Sequence, residues 1–550
     1  MITDEHADVV VVGLGAAGGT IAAALAERGL DVVGLEAGPE LVRPGDFTDD
    51  ELLFAVDRKH FWAEPEVLEF EGAATTATWL KRNLGVGGPF VWSGFAYRFH
   101  PSDFRVASTV GVPDGSSVED WPIDYEEMAP WYEAAEQLVG ISGNAGTYPF
   151  EPPRRGPFPQ RPVRRVAGTT LLDEAARALG WHPYQPPAAI LSKARGDRSG
   201  CSRCGLCTNY ACHRDAKASS SVFALPMGLR TGRLRLSGGT RVTEVVCDPV
   251  TGRPRAVRYL RADGTTGEQP ASVIVLANNA IYVAKLLLQS GSAHHPHGLG
   301  NHSDQVGRHL TFHTGGVAWG VYDEQLHVDS GPAQQVAVDD LNEDRPWRAG
   351  AGFRRGGVLH GGMPVSFAGG PLTFARALGG VAPLPAGVPT YGRGLMDFAA
   401  YAYTRHQAVY SLGEDLPQAD NRVVLDPEVR DSVGSPALRM RYRRHPEDVT
   451  QIDHLVAASV RLLEASGAAM IASAPSAIPG GMFAGHAHGT TRMGTDPATS
   501  VADDRGLVHG TTNLFVAGAG LFVTGAGLNP MLTIIALALR AVDAIADATR

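Results

Sequence analysis

Ala7-Asp8-Val9-Val10-Val11-Val12 is a β-branched run short enough to make one buried strand. Gly13-Leu14-Gly15-Ala16-Ala17-Gly18 follows at once, and the small, apolar stretch Gly19 to Arg28 predicts a helix closed by Gly29. A second strand is expected over Asp31-Val32-Val33-Gly34-Leu35-Glu36. Val273-Ile274-Val275-Leu276-Ala277 reads as a further buried strand, followed by a helix through Leu286-Leu287-Leu288-Gln289 that ends near Gly291. Helices are also expected over Tyr125 to Leu138, over Glu447 to Ala465, and from Pro530 through Arg540. Pro149 to Pro162 and Gly379 to Gly394 read as linkers or surface loops, with an access loop as the alternative.

Strand, glycines, helix, second strand and terminal acid occur in the order of a dinucleotide-binding unit. The three glycines serve a tight turn, close approach of backbone to a pyrophosphate, and close packing of the helix. The N-terminus of that helix offers N–H groups and a positive dipole end to the diphosphate. Glu36 stands where a carboxylate accepts hydrogen bonds from ribose hydroxyls, and it disfavours a 2′-phosphate. The pattern alone leaves NAD and FAD open.

Composition narrows the class. The chain has 550 residues, room for more than one domain, and 66 of them are glycine, well above the usual ~7%. A formal charge of −10, from 48 basic and 58 acidic residues, argues against a nucleic-acid binder. The strongest apolar stretch, Met531 to Ala538, falls far short of the ~20 residues of a membrane span. Met1 to His6 lacks a basic segment followed by an apolar one, so a soluble, cytoplasmic protein without an export signal is expected.

Proton chemistry is concentrated near the carboxyl end. His486 lies in His486-Ala487-His488-Gly489-Thr490-Thr491-Arg492-Met493-Gly494, and Asn529 in Gly525-Ala526-Gly527-Leu528-Asn529-Pro530-Met531. A histidine that takes a proton and an amide that holds an oxygen suit hydride removal from an alcohol. His488 is the competitor, because two residues apart on a strand puts both rings on one side.

The chain resembles the glucose-methanol-choline (GMC) oxidoreductases. The resemblance is carried by Gly13 to Glu36, Ala37-Gly38-Pro39, Gly85-Val86-Gly87-Gly88, Trp121-Pro122-Ile123-Asp124-Tyr125, Val306 to Leu310, Gly413 to Pro417, Asn513 to Val516 and the two carboxy-terminal segments. It implies an α/β fold in which a Rossmann-like FAD-binding domain (1–110, 200–315 and 486–550) is interwoven with an α+β substrate domain on an antiparallel sheet (111–199 and 316–485). It implies FAD contacts at Gly13, Gly15, Ala16, Ala17, Gly18, Glu36, Ala37, Gly87, Trp92, Ser93, Val242, Gly518, Ala519, Asn529, Pro530 and Met531. His486 takes the position of the catalytic base and Asn529 that of its partner. Some sugar-oxidising relatives attach FAD through a histidine after the Gly-Gly pair; Gly87 to Gly94 has none, so noncovalent FAD is expected.

The nearest resemblance is to pyranose oxidases, C-glycoside 3-oxidases and gluconate-type dehydrogenases. It implies oxidation of a secondary hydroxyl, at C2 or C3, of a pyranose or glycoside, with electrons passed to oxygen, a quinone or another acceptor. Tyr97, Arg98, His100, Tyr391, Tyr401 and Tyr403 are candidates for stacking on a sugar or binding its hydroxyls. Cys201, Cys204, Cys207 and Cys212 fall within twelve residues, which leaves three states open: thiols or disulfides, a zinc site, or an iron-sulfur cluster. The cluster would make the chain a flavoprotein subunit of an electron-transfer dehydrogenase.

Overall fold

The computed structural model describes residues 5–39, 64–77, 88, 92–207, 211–342, 350–365, 370–380, 382–475 and 483–550. The first sheet comprises β1 (Ala7–Val12), β2 (Val32–Leu35), β5 (Leu234–Ser237), β6 (Thr240–Cys247), β7 (Pro254–Arg261), β8 (Thr266–Leu276) and β17 (Leu514–Val516). Its order is β5-β2-β1-β8-β7-β6, with β17 also on β8. β8 has two roles: its first half pairs antiparallel with β7, and Ala271 to Leu276 pair parallel with β1. The sequence reading found only the second half, because Thr266-Gly267-Glu268-Gln269-Pro270 carries no apolar run.

Val12 is in register with Leu35 and Leu276, and Leu276 with Val516. Four strands therefore end at one level, and strand order reverses about β1, where open parallel sheets bind ligands. Helices Ala16–Glu27 and Met531–Asp547 share one apolar cluster with these strands, including Val9, Val11, Ile21, Leu25, Val275, Phe515 and Ile545. The last helix runs beyond the expected Arg540, whose buried side chain donates to Asp504. Among the described residues no helix is long and apolar enough to cross a membrane.

The second sheet is antiparallel. It comprises β9 (Thr311–Val321), β10 (Val336–Val338), β11 (Gly357–Met363), β12 (His406–Glu414), β15 (Met470–Pro475) and β16 (Phe483–His488), with β16 pairing to β9. Leu455, Ala458, Leu462 and Leu463 of the helix Pro446–Ala465 pack against Ala318, Leu359 and Val409 of this sheet. A third sheet holds β3 (Glu66–Phe70), β4 (Ala73–Ala77), β13 (Arg422–Arg430) and β14 (Pro436–Tyr442) in the order β13-β14-β3-β4.

Candidate active site

The segment Gly13 to Gly18 has the stereochemistry its glycines foretell. Gly13 sits at φ +86°, and a Cβ there would come within 2.7 Å of Asn278 Cα. A Cβ on Gly18 would strike Gly13 O at 1.9 Å. Gly15 is different: its Cβ position meets nothing nearer than Gly88 O at 3.7 Å, and it precedes Ala16 and Ala17 at a helix start with no capping side chain. An anion has backbone N–H groups to bind there. Glu36 follows β2 and braces this loop, its carboxylate accepting from Leu14 N and Gly38 N, each at 3.0 Å.

The other residues expected to contact FAD come from distant segments. Ala37 precedes Gly38, whose carbonyl accepts from Gly239 N; Thr240 N donates to Glu36 O at 2.8 Å, which brings Val242 of β6 close behind. Gly518, at φ +104°, and Ala519 follow the end of β17. Trp92 donates its indole N–H to Ala218 O at 2.9 Å, and Ser93 O accepts from Gln334 at 2.8 Å. Gly87 lies outside the described residues. Pro530 and Met531 open the last helix, again without a capping side chain.

His486, half-buried on β16, is within 2.8 Å of His313 on β9, Nδ1 to Nδ1. The other nitrogen of His313, Nε2, lies 2.7 Å from Ala526 O and 3.2 Å from Gly525 O. Burial pulls His313 down to about 4. It also holds His486 well below its ordinary value, with smaller contributions from His313 and His360. All are neutral near pH 7.

His488 is fully buried, lies flat on Phe522 with ring centroids 5.2 Å apart, and has no partner for either ring nitrogen among the described residues. Its ring and that of His486 are 6.5 Å apart, with His313 about equally close to both. Of the two, only His486 keeps an exposed fraction through which an alcohol could reach it. Asn529 Oδ1 is buried and unpartnered among the described residues, three residues beyond the carbonyl that His313 grips. A buried amide atom left without a bond costs free energy unless something fills the place.

The segment around His486 is mainly an anchor. Gly489 is at φ +83°, where a Cβ would meet His309 O at 2.2 Å. Thr490 donates to Ala280 O at 2.7 Å, and Arg492 binds Ser117 O, Thr499 O and Glu119. Sequence reasoning missed two neighbours, His313 and His360, which is 2.9 Å from Tyr97 OH, and gave Glu414, within the quoted segment Gly413 to Pro417, no role. Tyr97 is thus joined to the histidine group.

Other candidates are used elsewhere. Arg98 is buried in a forked pair with Glu136 at 2.8 and 2.9 Å, and His100 faces Asp339 at 2.8 Å. Tyr391 and Tyr401 are 82% and 45% exposed, and Tyr403 packs on Phe374. No disulfide joins the four clustered cysteines. Cys201, Cys207 and Cys212 pack beside Val163, Ala188, Ile190 and Ala216, Cys204 is exposed, and burial pushes the Cys207 thiol up. Among the described residues, no three His, Cys, Asp or Glu side chains are arranged to hold a metal.

Sequence profiles of the GMC oxidoreductases match residues 161–315 and 417–538. Paromamine 6'-oxidase of Streptomyces fradiae is 33% identical over 99% of this chain and 92% of its own length. The chain belongs to the GMC oxidoreductase family. Homologues in the family act on CH–OH donors, and members of the family bind FAD. The gluconate 2-dehydrogenase flavoprotein of Pantoea cypripedii is 29% identical over 99% of this chain and 94% of its own. C-glycoside 3-oxidase of Arthrobacter globiformis is 40% identical over 24% of this chain and 25% of its own. Formate oxidase of Aspergillus oryzae, a solved structure, has the same fold: TM-score 0.66 at 16% identity, covering 98% of both chains.

Proposed function

We propose that this GMC oxidoreductase oxidises a hydroxyl of a sugar or glycoside, with His486 as base and Asn529 holding the substrate oxygen. The observation that carries the reading is the pairing of His486 with neutral His313, which in turn grips the loop leading to Asn529. The residues present fit FAD. The open backbone at Gly15, the uncapped helix starts at Ala16 and Met531, and the acid at Glu36 suit a diphosphate, a ring system and a ribose.

When bound, noncovalent FAD would supply the two-electron acceptor for hydride. The chain's own residues do the rest. His486 takes the hydroxyl proton as the carbonyl forms, and Asn529 fixes the oxygen so that the carbinol C–H is presented in one orientation. The helix start at Met531 favours negative charge beside it. Segments 1–110, 200–315 and 486–550 would hold the cofactor, and segments 111–199 and 316–485 the substrate.

The match to paromamine 6'-oxidase spans nearly the whole chain, whereas that to C-glycoside 3-oxidase spans a quarter. An amino-sugar 6'-hydroxyl is therefore the first donor to test, and a secondary hydroxyl at C2 or C3 of a pyranose the second. The likeness to a gluconate 2-dehydrogenase flavoprotein favours a second reading, electron transfer onward to a quinone or cytochrome. In an anaerobic titration with aminoglycosides, pyranoses and glycosides, the true donor bleaches the flavin, and the rate at which colour returns in oxygen separates oxidase from dehydrogenase. Bleaching by none of these, but by a simple aliphatic alcohol, would contradict the sugar reading.

A further inference from the structure

His313 is absent from every sequence motif that pointed to the site, yet its contacts decide which nitrogen of His486 can accept a proton. Its Nε2 faces two backbone carbonyls, Ala526 O at 2.7 Å and Gly525 O at 3.2 Å. Carbonyl oxygens only accept, so Nε2 carries the hydrogen. In a neutral ring the second nitrogen, Nδ1, is then a lone pair, and it points at His486 Nδ1 2.8 Å away. Two lone pairs cannot share that distance. His486 must bring the hydrogen on its own Nδ1, which makes its Nε2 the accepting nitrogen.

We infer that His313 is a positioning residue that holds His486 in the tautomer able to take the substrate proton at Nε2, and couples it to the loop carrying Asn529. The inference rests on the proposed alcohol oxidation, in which His486 is the base. The hydroxyl proton moves to His486 Nε2, and the resulting imidazolium donates from Nδ1 to the His313 lone pair. Bound FAD would supply the acceptor for the hydride of the same carbinol, so that the alcohol would lose two electrons and become a carbonyl. His313 does not itself take the proton.

The fold makes this arrangement rigid. His313 is fully buried on β9, where it is the cross-strand partner of Glu414 on β12. Glu414 Oε1 accepts from Ala526 N at 2.9 Å, while His313 Nε2 donates to Ala526 O. One residue of the loop is thus gripped at both ends by adjacent side chains of one sheet. The titratable groups around His313 are Glu414 on the neighbouring strand and the histidines His486, His488 and His360, and burial keeps all four histidines neutral near pH 7.

The tautomer is directly measurable. Nitrogen NMR of protein labelled with 15N-histidine, with His486 assigned from a His486→Gln variant, should show the His486 proton on Nδ1. A proton on Nε2 would overturn the inference. Two substitutions then separate tautomer control from loop support. Asparagine places an oxygen near the Nδ1 position and can still accept from His486; glutamine places an amide near Nε2 and can still donate to Ala526 O.

His313→Asn should keep the tautomer and flavin reduction within about tenfold of the parent. His313→Gln should retain FAD yet lose between about 10² and 10⁴ in the flavin-reduction rate, as expected when a general base is held in the wrong tautomer. Equal losses in the two variants, with the tautomer unchanged in both, would reduce His313 to a structural prop. If no alcohol bleaches the parent flavin, the functional reading fails while the NMR result still decides the tautomer. If sugars bleach it but the proton sits on Nε2, the inference alone fails.

Discussion

Glu414 accepts a hydrogen bond from the backbone N–H of Ala526 at 2.9 Å, deep in the protein. Ala526 has φ +54°, a left-handed conformation that a residue with a Cβ adopts only when its surroundings fix it. The same carboxylate pairs with buried Arg355, which also reaches Asp103 at 2.7 Å. The left-handed turn at Ala526 is therefore held by an ionic group.

Removing one partner of a buried pair leaves the other charge uncompensated, which typically costs about 3–5 kcal/mol. Glu414→Ala should lose stability on that scale in urea unfolding, and Glu414→Gln less, since its amide oxygen still accepts from Ala526. A loss below about 1 kcal/mol for Glu414→Ala would show that Arg355 and Ala526 are held by other means.

Gly489→Ala should fail for a different reason. The substitution needs a Cβ 2.2 Å from His309 O in a left-handed backbone. The resulting loss exceeds the ~1 kcal/mol scale of an unstrained glycine change and should appear as a lowered melting temperature with reduced flavin retention. Unchanged melting would mean that the turn relaxes freely.

The cofactor side of the fold was legible because its chemistry is local. Glycines at fixed offsets, an apolar strand and a terminal acid lie within Ala7 to Glu36, and the structure assembles them without a long-range surprise. The side of the fold that carries His486 was legible only in part. His486 and Asn529 stand in recognisable segments, but His313 is 173 residues from His486 in sequence, and nothing in Thr311-Phe312-His313-Thr314 marks it. Only the pairing of β9 with β16 brings the two together. The aromatic candidates could not be separated in sequence because exposure depends on tertiary packing: Tyr391 faces solvent while Tyr97 is enclosed beside His360.

Buried neutral histidines make stability depend on pH. Burial against Trp319 and Phe374 lowers His406 to about 4, against the opposing pull of the Ala402 and Tyr403 carbonyls, and burial lowers His313 to about 4 against that of Ala526 and Gly525. In the unfolded chain both titrate near 6.5. The unfolded state thus binds more protons between these values, so the stability is fully present above about pH 6.5 and is lost as pH falls toward 4. Each histidine should contribute roughly 2 kcal/mol of loss between pH 7 and pH 5. His406→Gln should flatten the curve by about that amount in urea unfolding at the two values. An unaltered slope would contradict the assignment.

Acid precipitation should release yellow chromophore into the supernatant, because Gly87 to Gly94 offers no histidine for attachment. Glu36→Ala, which removes the brace on Leu14 and Gly38, should purify with less flavin. Colour remaining with the precipitate would contradict noncovalent binding.

The most direct measurement is anaerobic single-turnover reduction of the bound flavin in His486→Ala, His488→Ala and Asn529→Ala, using the donor found by titration. Loss of a general base typically costs about 10² to 10⁴ in rate, or roughly 3–5 kcal/mol. His486→Ala should retain its flavin and fall by that factor, Asn529→Ala should fall by less, and His488→Ala should change least. Abolished reduction in His488→Ala beside near-normal reduction in His486→Ala would place the base on the other histidine and contradict the account at its centre.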